Sequence, residues 1–214
     1  MPARTSIAAV LLGAAMLSAC QASGRFEGPE LDRYLCTAED LPFDVIEQAR
    51  GDFTAADLGG LSRDPEVRKA EYRAAGMEGG RFGFWKQALP RPPFESPLNV
   101  VCQVIAFDSS AAAASWVANL EADPVRIRDS GMLWAPLGEA RAEELAAERG
   151  RLFRLEGMEG EARVTLFAHH VAREHLVLSV FVGDRDGRTE AEMALAIAAS
   201  RDARLGEPAT SGSR

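Results

Sequence analysis

Two runs of β-forming residues, Ala162–Val171 and Glu174–Val182, lie so close together that they must fold back on each other as an antiparallel hairpin. A tight connection at Ala172-Arg173 would set His170 opposite His175 and Phe167 opposite Leu178. A third run, Leu98–Phe107 (LNVVCQVIAF), is almost continuously apolar, as in a strand covered on both faces. A fourth, Arg81–Leu89, sets Phe82 and Phe84 on one face and Trp85 on the other. Pro90, Pro92, Pro93 and Pro97 must form the connection between these two, because proline cannot donate to a central ladder.

Helical signals fall around these strands. Asp64 is placed to cap a helix from Pro65 to about Ala75, which Gly76 can end in the left-handed conformation. A shorter helix is read over Leu41–Ala49. Asp108 is placed to cap another, with Ala112, Ala113, Trp116, Val117 and Leu120 on one stripe. The last helix opens with Thr189 and, three residues on, Glu192, the spacing of a capping box. Its buried stripe is read as Met193, Ala196 and Ile197, and its stop as Gly206. Residues 139–149 (EARAEELAAER) have too thin an apolar stripe to choose between a surface helix and an edge strand. Neighbouring strands joined by short loops favour one α+β domain, an antiparallel sheet packed against helices. By element order it resembles the sandwich of the PsbP and Mog1 type. Phe84, Trp85 and Trp116 are assigned by periodicity to the core.

The first twenty residues differ in kind. Arg4 precedes an uncharged, apolar or small stretch from Ile7 to Leu17, too short to span a bilayer but of signal-peptide length. Leu17-Ser18-Ala19-Cys20 closes it. This segment resembles the leader and lipobox of bacterial lipoproteins. The resemblance implies cleavage before Cys20 and a diacylglycerol on its sulfur. Acyl chains contribute about 0.8 kcal/mol per buried CH₂, so two of them anchor stably. Gln21 follows, where an aspartate in Gram-negative members often signals inner-membrane retention. The expected organisation is a leader at 1–19, a lipidated N-terminus and tether at 20–31, the domain at 32–205 and a disordered tail at 206–214.

Cys36 and Cys102 are then left as an even pair in an oxidising compartment. They form either a disulfide or two buried thiols, since spacing alone does not fix pairing. Neither lies in a CxxC or near a histidine in sequence, which argues against redox catalysis.

Loss of residues 1–19, whose one charged side chain is Arg4, takes the formal charge from −8 to −9. An acidic surface is repelled by phosphate backbones and anionic lipid heads, so nucleic acid is not an expected partner. Membrane attachment should come from acyl chains on Cys20.

Motifs with chemistry are scarce. The three histidines, His169, His170 and His175, fall on the one hairpin. His170 and His175 are the metal-ligand candidates, but two ligands rarely make a tight site, and neither metal nor cofactor is expected. Asp184-Arg185-Asp186-Gly187 starts like a calcium loop, yet Thr189 and Leu195 stand where glycine and glutamate belong; a turn explains it. Glu143, Glu144 and Glu148 read as a solvated face. No GxSxG, HExxH or glycine-rich phosphate loop is present. The balance is against an enzyme. It favours a lipid-anchored domain of the cell envelope, on the extracytoplasmic side, binding an envelope protein or small ligand. The alternatives are a carrier or sensor of an apolar small molecule and, behind it, a hydrolase with an unrecognised site.

Overall fold

The apolar runs pair into one sheet. The computed structural model describes residues 28–62, 64–89, 96–131, 140–185, 187 and 189–206. In chain order the elements are a helical turn α1 (Gly28–Leu31), 3-10 turns at Asp32–Tyr34 and Ala38–Asp40, strand β1 (Val45–Phe53), helices α2 (Ala55–Gly60) and α3 (Pro65–Ala74), strands β2 (Met77–Gln87) and β3 (Asn99–Phe107), helices α4 (Ser110–Ala118) and α5 (Pro124–Asp129), strands β4 (Ala140–Leu145), β5 (Arg151–Glu159), β6 (Ala162–Arg173) and β7 (Leu176–Asp184), and helix α6 (Ala191–Gly206). The strand order is β1-β2-β3-β7-β6-β5-β4, with every neighbouring pair antiparallel. The α+β class read from the sequence is therefore the one observed.

β3 runs through the middle and is buried along nearly its whole length. On one face of the strand Val100 and Cys102 pack with Ala194, Ile197 and Ala198 of α6, and Val104 and Ala106 with Leu31, Leu35 and Leu205. Its odd residues face the other layer, where Ile105 and Phe107 meet Ala113 and Val117 of α4, and Val101 meets Ile127 of α5. Helices thus cover both faces, which is why the strand needs no polar alternation. Cys36 and Cys102 are joined by a disulfide, with 5.8 Å between their Cα atoms. It fastens the segment before β1 to the centre of the sheet.

Several expectations are corrected. The stretch read as a helix at Leu41–Ala49 enters β1 instead, paired with β2 from Val45↔Gln87 to Phe53↔Gly80. The open edge of β2 offers a full ladder, and tertiary pairing overrides weak helical propensity. A bulge between Glu47 and Ala49 reverses the strand's facing, so Val45 packs on the α6 side and Phe53 on the other. Residues 139–149, left between helix and strand, supply the edge strand β4. Its carboxylates Glu143 and Glu144 pair with Arg154 and Arg151 of β5.

The caps also move. Ser109, one residue after Asp108, caps α4 by accepting from the Ala112 amide at 3.1 Å, because the helix begins at Ser110. Thr189 makes no cap on α6: its hydroxyl has no hydrogen-bond partner among the described residues, and the helix starts at Ala191. The buried stripe of α6 is Ala194, Ile197, Ala198 and Arg201; Ala196 is exposed and Met193 half-buried.

The β6–β7 hairpin turns at Glu174-His175, not Ala172-Arg173, with Glu174 in the left-handed region at φ 54°. Phe167 consequently pairs with Val182, and His170 with Ser179. This even displacement changes cross-strand partners but keeps each residue on its face. Leu31, assigned to the tether, is buried and packs with Leu35, Val104 and Leu178, so the folded unit reaches back at least that far. The leader, Cys20, the tether before Gly28, residues 90–95 and the tail beyond Gly206 lie outside the described residues. Among the described residues no helix is long and apolar enough to cross a membrane.

Candidate binding site

The structure separates the histidines. His169 and His170 are consecutive on β6 and point to opposite faces, while His175 sits in the turn. His170 is fully buried, and its Nδ1 lies 2.9 Å from the Ser179 hydroxyl. The rings of Phe153 and Phe181 flank it at 6.1 and 5.3 Å between centroids. Its Nε2 has no partner among the described residues. Burial pushes its pKa down to about 3, with smaller contributions from His169 and Arg151, so the imidazole is neutral near pH 7. His169 is likewise shifted down by burial, although its Nε2 lies 2.8 Å from the Arg149 carbonyl. His170 and His175, the metal-ligand candidates, are not brought together: His170 pairs with Ser179, and the hairpin has turned before His175 could face it.

The His170–Ser179 contact has the residue types of a base and a nucleophile. Both side chains are fully buried, however, between aromatic rings and under the helical layer. A substrate could not reach the hydroxyl, and an imidazole held at so low a pKa is a poor base near neutrality. The contact satisfies two polar groups in a core.

The other sequence candidates are structural. Trp85 is buried beside Cys36 and Val100. Phe84 packs on the opposite face, and Trp116 lies edge-on to Tyr72. The Asp184 carboxylate accepts from the Gly187 amide at 2.8 Å, a local turn ahead of α6.

A site that no motif announced forms where β5, β6 and the approach to α6 meet. A cleft of about 340 Å³ is lined by Arg154, Glu156, Arg163, Thr165, Phe167, Arg185, Gly187 and Thr189. Buried Thr165 and Phe167 make its floor, and three arginines stand around it. Each arginine is partly engaged. Arg163 Nη2 lies 3.1 Å from Glu156 Oε1, Arg185 Nη2 lies 2.6 Å from Glu159, and Arg154 Nη2 lies 2.8 Å from Glu143. A guanidinium has five N–H donors, so these contacts leave others free to turn to a ligand. Among the described residues Glu156 is the only acid in the lining; Arg141, Arg163 and Arg154 surround it. The hydrogen bond from Arg141 leads the causes that hold its carboxyl below the ordinary value. Thr189 is 5% exposed, lines the cleft, and its hydroxyl has no partner among the described residues.

A second charge is sealed away under α6. Arg201 is fully buried, its Nε and Nη2 reach Asp202 only at 3.4 and 3.3 Å, and its Nη1 has no partner among the described residues. Burial lowers its pKa. Replacing such a group with an apolar side chain of similar length removes the desolvation cost of a guanidinium that is only weakly paired, while Asp202 keeps Arg149 as a partner at 3.7 Å. Arg201→Met should raise unfolding free energy by about 1–2 kcal/mol in urea titrations. A loss of that size would show that the guanidinium holds the helix on the sheet.

No family profile matches the sequence, and no curated protein is significantly similar to it. Among solved structures the chain is similar to the extracellular domain of PknH from Mycobacterium tuberculosis, with a TM-score of 0.56 and 11% identity. The match covers 85% of this chain and 98% of that one. At this identity the likeness is one of fold, and no site residue is carried across it.

Proposed function

We propose that this protein is a lipid-anchored domain of the cell envelope, held on the extracytoplasmic side of a membrane by acyl chains on Cys20, and that it binds a ligand or partner without catalysing a reaction. The observation that carries the binding reading is the arginine-lined cleft, an accessible concavity in a domain whose Ser–His contact is sealed. Its charged lining favours a polar ligand over an apolar one. Three features support the location. They are the lipobox at Leu17–Cys20, the disulfide between Cys36 and Cys102, and a fold similar to that of a domain described as extracellular.

The anchor is tested by Cys20→Ser. Wild type should enter the detergent phase of a cloud-point separation and carry fatty acid by mass spectrometry, whereas the serine variant should stay aqueous and unmodified. A variant that still partitions and still carries acyl chains would overturn the assignment.

A further inference from the structure

We infer that the cleft between β5, β6 and the start of α6 is a phosphate-binding site, in which Arg163 and Arg185 grip the oxyanion from the rim, Arg154 adds charge, and the Thr189 hydroxyl donates from the wall. This rests on the reading of the domain as a binding module and is independent of the anchor.

Four observations converge on that chemistry. First, among the described residues the lining concentrates three arginines against one glutamate, in a chain whose formal net charge is −8. A planar guanidinium fork matches the oxygens of a phosphate group, and a doubly charged anion rewards several cations at once. Second, Arg163 and Arg185 are mostly exposed, with side-chain exposures of 63% and 56%, so they can swing from their carboxylate partners onto a ligand. Exposed ion pairs of this sort contribute little and are readily exchanged. Third, the Thr189 hydroxyl is buried, lines the cleft and has no partner among the described residues, although a buried hydroxyl ordinarily finds one. An oxyanion seated in the cleft would supply the missing acceptor. Fourth, Thr189 stands two residues before the first residue of α6, a helix of 16 residues. The first-turn amides at such a helix start carry a partial positive charge that favours an anion.

The surrounding acids define the competition. Glu143, Glu156 and Glu159 hold the arginines when the cleft is empty, and Asp184 is committed in part to the Gly187 amide. Binding therefore exchanges weak, solvent-screened pairs for contacts to one multivalent anion, and affinity should fall as ionic strength rises.

The test is calorimetry on the full chain in a non-ionic detergent. The probes are inorganic phosphate, glycerol 3-phosphate and a short-chain phosphatidylglycerol, with short-chain phosphatidylcholine as the zwitterionic control. Wild type should bind phosphate and glycerol 3-phosphate. Arg163→Gln combined with Arg185→Gln should weaken both roughly tenfold or more, and Thr189→Val several-fold, from the usual strength of charge-assisted hydrogen bonds. The arginines are exposed, so unchanged thermal melting of the double variant will show that the fold is intact. Binding of phosphatidylglycerol as well would identify a lipid headgroup as the source of the phosphate; binding of the monoesters alone would identify a soluble one. Two results would overturn the inference: no heat from wild type with any phosphate probe, or equal affinity in wild type and the double arginine variant. The second would leave a binding module whose site lies elsewhere, and neither would alter the partitioning that tests Cys20.

Discussion

Substituting alanine for both Cys36 and Cys102 is expected to lower the melting temperature of the domain by roughly 8–16 °C. The bridge spans 66 residues of sequence, and in the chain-entropy account a loop of that length restricts the unfolded chain by about 4 kcal/mol. For a chain of this size each kcal/mol moves the midpoint by about 2–4 °C. Alanine is the better substitute because both positions are buried, and serine would add two hydroxyls to the core formed by Trp85, Val100 and Val180. Wild type heated with a reductant should melt near the alanine variant. Midpoints of oxidised wild type and variant within about 2 °C of each other would remove the bridge from any account of stability.

The second large effect is a loss of stability in mild acid, centred on His170. Its folded pKa of about 3 lies below the ordinary 6.5, so the unfolded chain binds a proton that the folded protein refuses. This contribution is complete above pH 6.5 and declines as pH falls toward 3. Its steepest slope is about 1.4 kcal/mol per pH unit, and several kcal/mol are lost across the window. His169 is shifted the same way by burial and adds to the slope. Carboxylates with depressed values, among them Asp40 beside Arg204, lose their contribution at more acid pH, so the interval from 6.5 to 4.5 reports mainly on the imidazoles. Denaturant titrations across that interval should show wild-type stability falling. The double variant His170→Leu, Ser179→Ala, which removes both members of the contact, should be flatter. An unchanged slope in that variant would assign the acid sensitivity to another group.

Much of the sheet could be read from the chain because its central strands carry strong local signals. β3 and β7 are buried on both sides and say so by unbroken apolar runs. The periphery was harder, for a physical reason. β1 and β5 are part-buried strands that mix arginine and glutamate with apolar residues, and such patterns match a weak helix or a loop as well as they match a strand. In β5, Arg151, Leu152, Phe153 and Arg154 hold their places because β6 lies alongside, a fact no window of sequence contains. The hairpin turn was misplaced because Glu174 takes a left-handed conformation usually marked by glycine or asparagine. The cleft was invisible for a similar reason. Arg154, Arg163, Arg185 and Thr189 are spread over 36 positions, and only the adjacency of β5, β6 and β7 gathers them. The one usable clue was Thr189. Its spacing to Glu192 suggests a local task as a helix cap, and the fold leaves its hydroxyl idle among the described residues in the wall of a charged hollow.

The bridge at Cys102 also determines how the molecule would respond to mechanical load. A pull applied upstream of Cys36, as from a moving membrane, would travel through covalent bonds into β3, which is flanked by β2 on one side and β7 on the other. Force would then shear two ladders at once instead of peeling an outer strand one pair at a time. Cutting the bridge would redirect the same tension past Cys36 into the Ala38–Asp40 turn and the exposed margin of β1, converting a tough attachment into one that unravels from its end.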